Sequence, residues 1–250
     1  MASSPRLRGR RILLTGAASG IGEATAALFA AEGASLALVD RNQERLQAVA
    51  SRLSAHGFAV DLGDRNAIKA MVDAAAEALG GLDGVVNAAG ISTNPRAPLL
   101  EEVTETDWDS LIGINLAGPF FLLQAAIRHL RRGVTPTIVN VSSGTALRPT
   151  LRGYSVYAAS KGGLLTLSKA LAFELAPAVR VNIVCPGSVV TGMMTPEQQA
   201  AARATENPDY ALRRSAEPIE VARGILYLSC EESSYVTGTT LTIDGGRTFH

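Results

Sequence analysis

Ile12-Leu-Leu-Thr15 is a short apolar run, and Thr15-Gly-Ala-Ala-Ser-Gly-Ile-Gly22 follows it without a gap. Such a run suits a strand buried on both faces, and the apolar spacing from Glu23 to Glu32 is that of a helix. Strand, glycine-rich turn and helix in immediate succession leave few folds open. Gly16 permits the tight turn, Gly20 lets a phosphate group approach the main chain, and Gly22 lets the helix pack close to the sheet. The start of the helix offers free N–H groups to an anion, so the turn, with Ser19 and Ile21 inside it, reads as a dinucleotide site.

The alternation of strand and helix continues along the chain and points to one α/β domain over residues 1–250. A second strand, Ser35 to Val39, ends in Asp40, about twenty residues past the glycines, where a carboxylate can bind a ribose 2′-OH. Facing a 2′-phosphate near 4 Å, the same carboxylate would cost on the order of 4 kcal/mol per charge pair at an effective dielectric of 20. Arg41 beside it can offset that repulsion or stack on adenine. The balance favours NAD over NADP, with a plain turn residue and a solvated charge as the bland alternative. A helix from Gln43 to about Ala55 precedes a third strand, Gly57 to Leu62. Asp61 at its end can accept from an adenine amino group beside Leu62, or simply cap the helix at 65–80. A fourth strand from Leu82 runs into Asn87-Ala88-Ala89-Gly90, small residues that leave room for something flat.

Thr104 caps a long helical stretch to Arg131 that contains one oddity. Asn115 is a poor helix former on a face that should be buried, so its amide must hold a structural water or mark a functional kink. Further strands are read at Thr137 to Ser143, Val179 to Gly187 and Thr239 to Gly246, with a helix from Pro218 to Cys230. The segment 191–215 has no clear pattern.

Gly153 to Ala176 reads as a helix, on which Tyr157 and Lys161 lie four apart on one face. An ammonium beside a phenol should draw the phenol pKa down from about 10, and a tyrosine so tuned can exchange a proton with an alcohol or ketone.

Composition removes other function classes. Lys+Arg and Asp+Glu balance at 23 each, so no basic field invites nucleic acid. Cys185 and Cys230 lie in apolar surroundings and are expected to be reduced core residues. No metal-ligand cluster is visible, and no apolar run approaches the ~20 residues of a membrane span. Residues 1–6 are expected to be a frayed arm of a cytoplasmic protein.

Five motifs stand in order: Thr15 to Gly22, Asn87 to Gly90, Asn115, the Ser142-Ser143 strand end with Tyr157-x-x-x-Lys161, and Pro186-Gly187 with Thr191. From Leu7 to Gly246 the chain resembles the single-domain branch of the short-chain dehydrogenase/reductase family. The resemblance implies a Rossmann-type, doubly wound, seven-stranded parallel sheet with helices on both faces. It implies NAD along the strand ends, touched by Gly16, Ser19, Gly20, Ile21, Gly22, Asp40, Arg41, Asp61, Leu62, Asn87, Ala88, Gly90, Pro186, Gly187, Val189 and Thr191, with Tyr157 and Lys161. Tyr157 would be the acid/base and Lys161 its tuning cation. Ser143 would hold the substrate oxygen, and Asn115 a relay water. The spacing between serine and tyrosine is one residue longer than usual in the family, so Ser143 is preferred and Ser142 stays as the alternative. A homotetramer packed through helices around 104–131 and 154–176 is implied as well.

The substrate expected is a small secondary alcohol or ketone of alcohol, polyol or sugar type. The competing readings are a 3-oxoacyl-thioester reductase using NADPH and a non-catalytic NAD-binding regulator. Specificity should lie around Asn94 to Leu99, in Thr145 to Gly153, and in a lid at 192–215. Thr145, Arg148, Arg152, Met193 and Met194 are candidate pocket residues beside Ser143, and His250 could reach a neighbouring subunit.

Overall fold

The computed structural model describes residues 5–93, 96–149, 151–192, 194–204 and 206–248. Its seven strands are β1 Arg11–Thr15, β2 Ser35–Asp40, β3 His56–Ala59, β4 Gly84–Asn87, β5 Thr137–Val141, β6 Arg180–Pro186 and β7 Thr240–Ile243. All pair in parallel in the order β3-β2-β1-β4-β5-β6-β7. The order reverses between β1 and β4, which opens a crevice beyond the C-terminal ends of the strands.

Among the described residues the α-helices are α1 Gly20–Ala31, α2 Gln43–Leu53, α3 Arg65–Leu79, α4 Glu105–Ile112, α5 Gly118–Leu130, α6 Ser155–Leu175, α7 Pro196–Ala204 and α8 Pro218–Ser229. Because successive strand side chains point to opposite faces, adjacent residues feed different cores. Ile12, Leu14 and Leu38 meet Phe29, Leu46 and Ile225 on one face. Leu13, Ala37 and Val85 meet Ile68, Leu122, Leu130 and Leu175 on the other. Helix starts are fixed locally: the side chain of Asn42 accepts from the Arg45 amide, and that of Asp64 from the Asn66 and Ala67 amides.

Five expectations change. The third strand is shorter than Gly57–Leu62, because Asp61 Oδ1 accepts from the Gly63 amide at 2.8 Å and closes a turn. The stretch from Thr104 to Arg131 is three pieces, with a π-helical turn at Gly113–Ala117 between α4 and α5. By length and composition the 26-residue run Glu105–Leu130 is long and apolar enough to cross a bilayer, which a search for unbroken apolar runs overlooks. Here its residues Leu111, Leu122, Leu123, Ala126 and Leu130 are buried in the fold. Part of the patternless 191–215 segment is α7, a helix with no fully buried residue. The N-terminal arm is tied down at Arg6, whose amide and guanidinium both donate to Glu32.

Candidate active site

A cavity of about 560 Å³ lies in the crevice at the strand ends. The β1–α1 turn builds one end of it. Gly16 (φ +72°) turns the chain against the next strand end, and a Cβ there would sit 2.7 Å from the Ala89 amide nitrogen. Gly22 has a different reason from the expected one: a Cβ would overlap the Gly16 carbonyl oxygen, so it closes the turn on itself rather than bringing helix to sheet. Ser19, Gly20 and Ile21 also line the cavity, with Thr191 across from Gly20. Replacing Gly22 by Ala is therefore expected to spread the turn and weaken dinucleotide binding by tenfold or more, through strain of about 1–3 kcal/mol. Titration of the purified protein with NADH, followed by its fluorescence, reads this out.

Asp40 and Arg41 line the same end. Asp40 Oδ2 accepts from the Ala18 amide (3.1 Å) and Oδ1 from the Asn42 amide (2.9 Å), so the carboxylate is held against the glycine turn. Asp61, Leu62, Ala88 and Gly90 continue the wall. Asn87 is not part of it. It is buried between strands, where its Nδ2 donates to Asn140 Oδ1, whose own Nδ2 donates to Ser168 Oγ. Asn87 Oδ1 has no partner among the described residues.

At the other end Ser142 and Ser143, just past β5, both border the cavity, and their hydroxyls have different partners. Ser142 is buried and its hydroxyl donates to the Lys161 carbonyl, so it serves α6. Ser143 lines the cavity with Tyr157 and its Oγ accepts from Thr145 Oγ1 at 2.8 Å. Tyr157 and Lys161 both border the same space. The expected lowering of the tyrosine pKa is not what this geometry gives. Burial pushes Tyr157 up, with Ser143 pulling weakly the other way. Burial also pushes Lys161, 4% exposed, down to about 8, and its ammonium donates to the Val141 carbonyl at 3.0 Å. Both charged forms lose their water here, and that loss outweighs the i,i+4 spacing.

Asn115 sits in the π-turn, fully buried and off the cavity wall. Its amide is satisfied by protein: Oδ1 accepts from the Ile91 amide, and Nδ2 donates to the Ile91 carbonyl and to Ser160 Oγ. It thus pins the strand exit at Gly90-Ile91 beside Lys161; a Cβ at Gly90 would lie 3.0 Å from Lys161 Nζ.

Of the expected pocket residues, Thr145 and Met194 line the cavity, as do Pro186, Gly187 and Val189. Arg148 and Arg152 do not. Arg148 turns back to donate to the Arg247 carbonyl at 2.9 Å. Met193, His250 and Asn94 lie outside the described residues. Leu151, Asn207 and Tyr210, inside the segments expected to set specificity, are in the wall, and so are Tyr154 and Arg247, which lie outside every expected segment. Tyr154 carries a usable signal, one helical turn before Tyr157, and the two rings meet edge to face at 5.9 Å. Arg247 carries none, since only the fold returns the chain end to the site.

A family described as enoyl-(acyl carrier protein) reductase matches residues 16–248. The 3-oxoacyl-[acyl-carrier-protein] reductase of Thermotoga maritima is 40% identical, covering 96% of this chain and 98% of its own. The D-threitol dehydrogenase of Mycolicibacterium smegmatis is 38% identical, over 97% and 94% of the two chains. A short-chain dehydrogenase from Burkholderia cenocepacia, solved in complex with NADP, superposes with a TM-score of 0.89 at 37% identity, over 98% of this chain and 100% of that one. With its glycine turn, its parallel sheet and its Ser–Tyr–Lys cluster on one cavity, this chain belongs to the short-chain dehydrogenase/reductase family, and it is a nicotinamide-dependent oxidoreductase acting on CH–OH or keto groups.

Proposed function

We propose that the protein interconverts a small secondary alcohol and its ketone with NAD, and that Tyr157 carries the proton. The observation behind this reading is the convergence of Ser143, Tyr157 and Lys161 on the cavity that begins at the glycine turn. The residues fit a dinucleotide: a Cβ at Gly16 would overlap the Ala88-Ala89 main chain and one at Gly22 the turn itself, and Asp40 stands at the end of β2. Gly16, Ser19, Gly20, Ile21, Gly22 and Thr191 would hold the pyrophosphate, and Asp40 the ribose hydroxyls. Asp61 and Leu62 would flank the adenine. Ala88, Gly90, Pro186, Gly187 and Val189 would border the rest. Bound there, the nicotinamide supplies or takes the hydride.

The chain supplies the geometry and the proton. Ser143 would donate to the substrate oxygen and stabilise charge on it. Tyr157 would give a proton to that oxygen in reduction and take it in oxidation, and Lys161 would stabilise the phenolate as it forms. Both Nδ2 hydrogens of Asn115 are taken by Ile91 and Ser160, so a relay water would be held by the second lone pair of Oδ1 or by the main chain of its π-turn, where the helical hydrogen-bond ladder is broken. Residues 192–215, including Met194, Asn207 and Tyr210, would form the lid. A homotetramer through α4–α5 and α6 is the assembly this reading carries.

A second reading, reduction of a 3-oxoacyl thioester with NADPH, draws on the 40% identity to the Thermotoga reductase. Cofactor choice separates the two. The protein is expected to turn over NAD⁺ with one class of secondary alcohols at least tenfold better than NADP⁺, and Asp40→Ser is expected to erase that preference, since one removed charge pair near 4 Å is worth on the order of 4 kcal/mol at an effective dielectric of 20. A preference for NADP⁺ in the unaltered protein, with turnover of an acyl thioester, would replace the first reading by the second.

A further inference from the structure

Thr145 borders the cavity, but its hydroxyl is turned to a neighbour in its own turn. Ser143 caps the single-turn helix Gly144–Ala146, which the Ala146 amide closes on the Ser143 carbonyl. The turn is seated on the end of β6, where a Cβ at Gly144 would lie 3.2 Å from the Pro186 carbonyl oxygen. Thr145 is thereby buried, and its amide and hydroxyl converge on one atom. Both donate to Ser143 Oγ, at 3.2 and 2.8 Å. A serine oxygen has two lone pairs and one proton. With both lone pairs taken from inside the turn, the proton is what Ser143 has left to offer to the cavity it shares with Tyr157.

We infer that Thr145 is a positioning residue: its hydroxyl fills the second lone pair of Ser143 Oγ, makes Ser143 a donor only, and so directs the proton of a bound alcohol to Tyr157. This rests on the proposed oxidoreductase reading and adds to it a residue that acts through Ser143. An alcohol oxygen between Ser143 and Tyr157 has one proton and two neighbours able to accept it. The Thr145 amide alone leaves one lone pair of Ser143 open, and the alcohol then divides between donating to Ser143, which is unproductive, and donating to Tyr157. With the Thr145 hydroxyl in place the alcohol accepts from Ser143 and donates to Tyr157. The same bond polarises the Ser143 O–H, since a hydroxyl that accepts becomes a better donor, and this strengthens its hold on charge developing at the substrate oxygen. Ser143 also pulls the Tyr157 pKa down against burial, the sign of a donor to the phenolate.

The test is a double-mutant cycle of Ser143→Ala and Thr145→Val, with Thr145→Ser as the variant that keeps the hydroxyl. Cyclohexanol, butane-2,3-diol and 1-phenylethanol are the probes, each with NAD⁺ and NADP⁺. Thr145→Val, nearly the same shape without the hydroxyl, is expected to lower kcat about tenfold with the cofactor KM within about twofold, and Thr145→Ser to recover most of the loss. Ser143→Ala is expected to lower kcat by about 10²- to 10³-fold, and adding Thr145→Val to it should change kcat by less than about twofold. The tyrosinate absorbance that each variant loses on Tyr157→Phe gives a second reading, independent of turnover. Thr145→Val should raise the Tyr157 pKa where Ser143 is present and leave it unmoved where Ser143 is Ala. Tyr154 and Cys185, the other titratable groups acting on Tyr157, and Lys161 on the same wall are unchanged in every variant. Equal losses from Thr145→Val in both backgrounds, or a loss confined to the KM of the alcohol, overturns the inference and leaves Thr145 as a packing or substrate contact. An impaired Ser143→Ala beside an unimpaired Thr145→Val, with the Tyr157 pKa unmoved, also overturns it while the acid–base reading stands. Undiminished kcat in Ser143→Ala removes the role of Ser143 in that reading, and the inference with it.

Discussion

Replacing Tyr157 by Phe is expected to lower kcat by about 10²- to 10⁴-fold, the usual worth of a positioned acid/base, while cofactor binding stays within a few-fold of the parent. The ring remains, so its edge-to-face contact with Tyr154 and its place in the wall are kept. Only the hydroxyl beside Ser143 is lost. The pH profile carries a second sign. Burial raises the Tyr157 pKa, so the phenol is protonated throughout the neutral range. Donating the proton, as in ketone reduction, then starts from the populated form, whereas alcohol oxidation must first remove it. Oxidation is therefore expected to accelerate as pH rises from 6 towards 8. Above that it loses the help of Lys161, held down to about 8 by the same burial. Steady-state rates in both directions across pH, with single-turnover rates for the variant, check these statements. Equal turnover in Tyr157→Phe and parent would remove Tyr157 from the chemistry.

That divergence in pKa also marks how far the sequence could be read. The order of strands and helices was legible because the central strands are mostly apolar, Asn140 and Asn182 apart, and because the glycine turn between β1 and α1 admits few alternatives. Asn115 was legible as an anomaly: an amide on a buried helical face has to be satisfied, and a π-turn with bonds to Ile91 and Ser160 is how this chain does it. The two serines were legible as alternatives; both border the cavity, and what distinguishes them is that the Ser142 hydroxyl donates to the Lys161 carbonyl. Spacing could not tell that Tyr157 and Lys161 are desolvated together, since adjacency on a helix says nothing of the walls around it. Asn87 misled for a related reason. Its motif sits at the cavity, but the first residue of the motif is still inside the sheet, bonded to Asn140. Arg148 and Arg247 exchanged roles, because a contact between residues 99 apart has no local signature.

Truncating Asp83 to Ala is expected to be the most destabilising of the changes considered, by about 3 kcal/mol, the lower part of the range for removing one partner from a buried pair. Asp83 is 2% exposed and lies just ahead of β4, at the end of the sheet opposite the cavity. Its Oδ2 accepts from the Arg11 amide and Nε, and its Oδ1 from Arg11 Nη2 and the Val134 amide. One carboxylate therefore ties the start of β1 to the turn before β5. Burial alone would raise its pKa, but the Arg11 guanidinium and the two amides win and hold it at about 2. Against an unfolded value near 3.9, a depressed pKa means stability that is fully present above about pH 4 and is lost as pH falls through about 2. The difference in unfolding free energy between parent and Asp83→Ala should thus be constant from pH 5 to 8 and shrink below pH 4. Urea titrations at several pH values measure it. A pH-independent difference would assign the loss to packing instead of charge. Because this clamp acts on the N-terminal strand ends and the Ser143, Tyr157 and Lys161 cluster on the C-terminal ones, kcat of the folded variant should stay near the parent's. Reduced kcat at full folding would show that the two ends of the sheet are coupled.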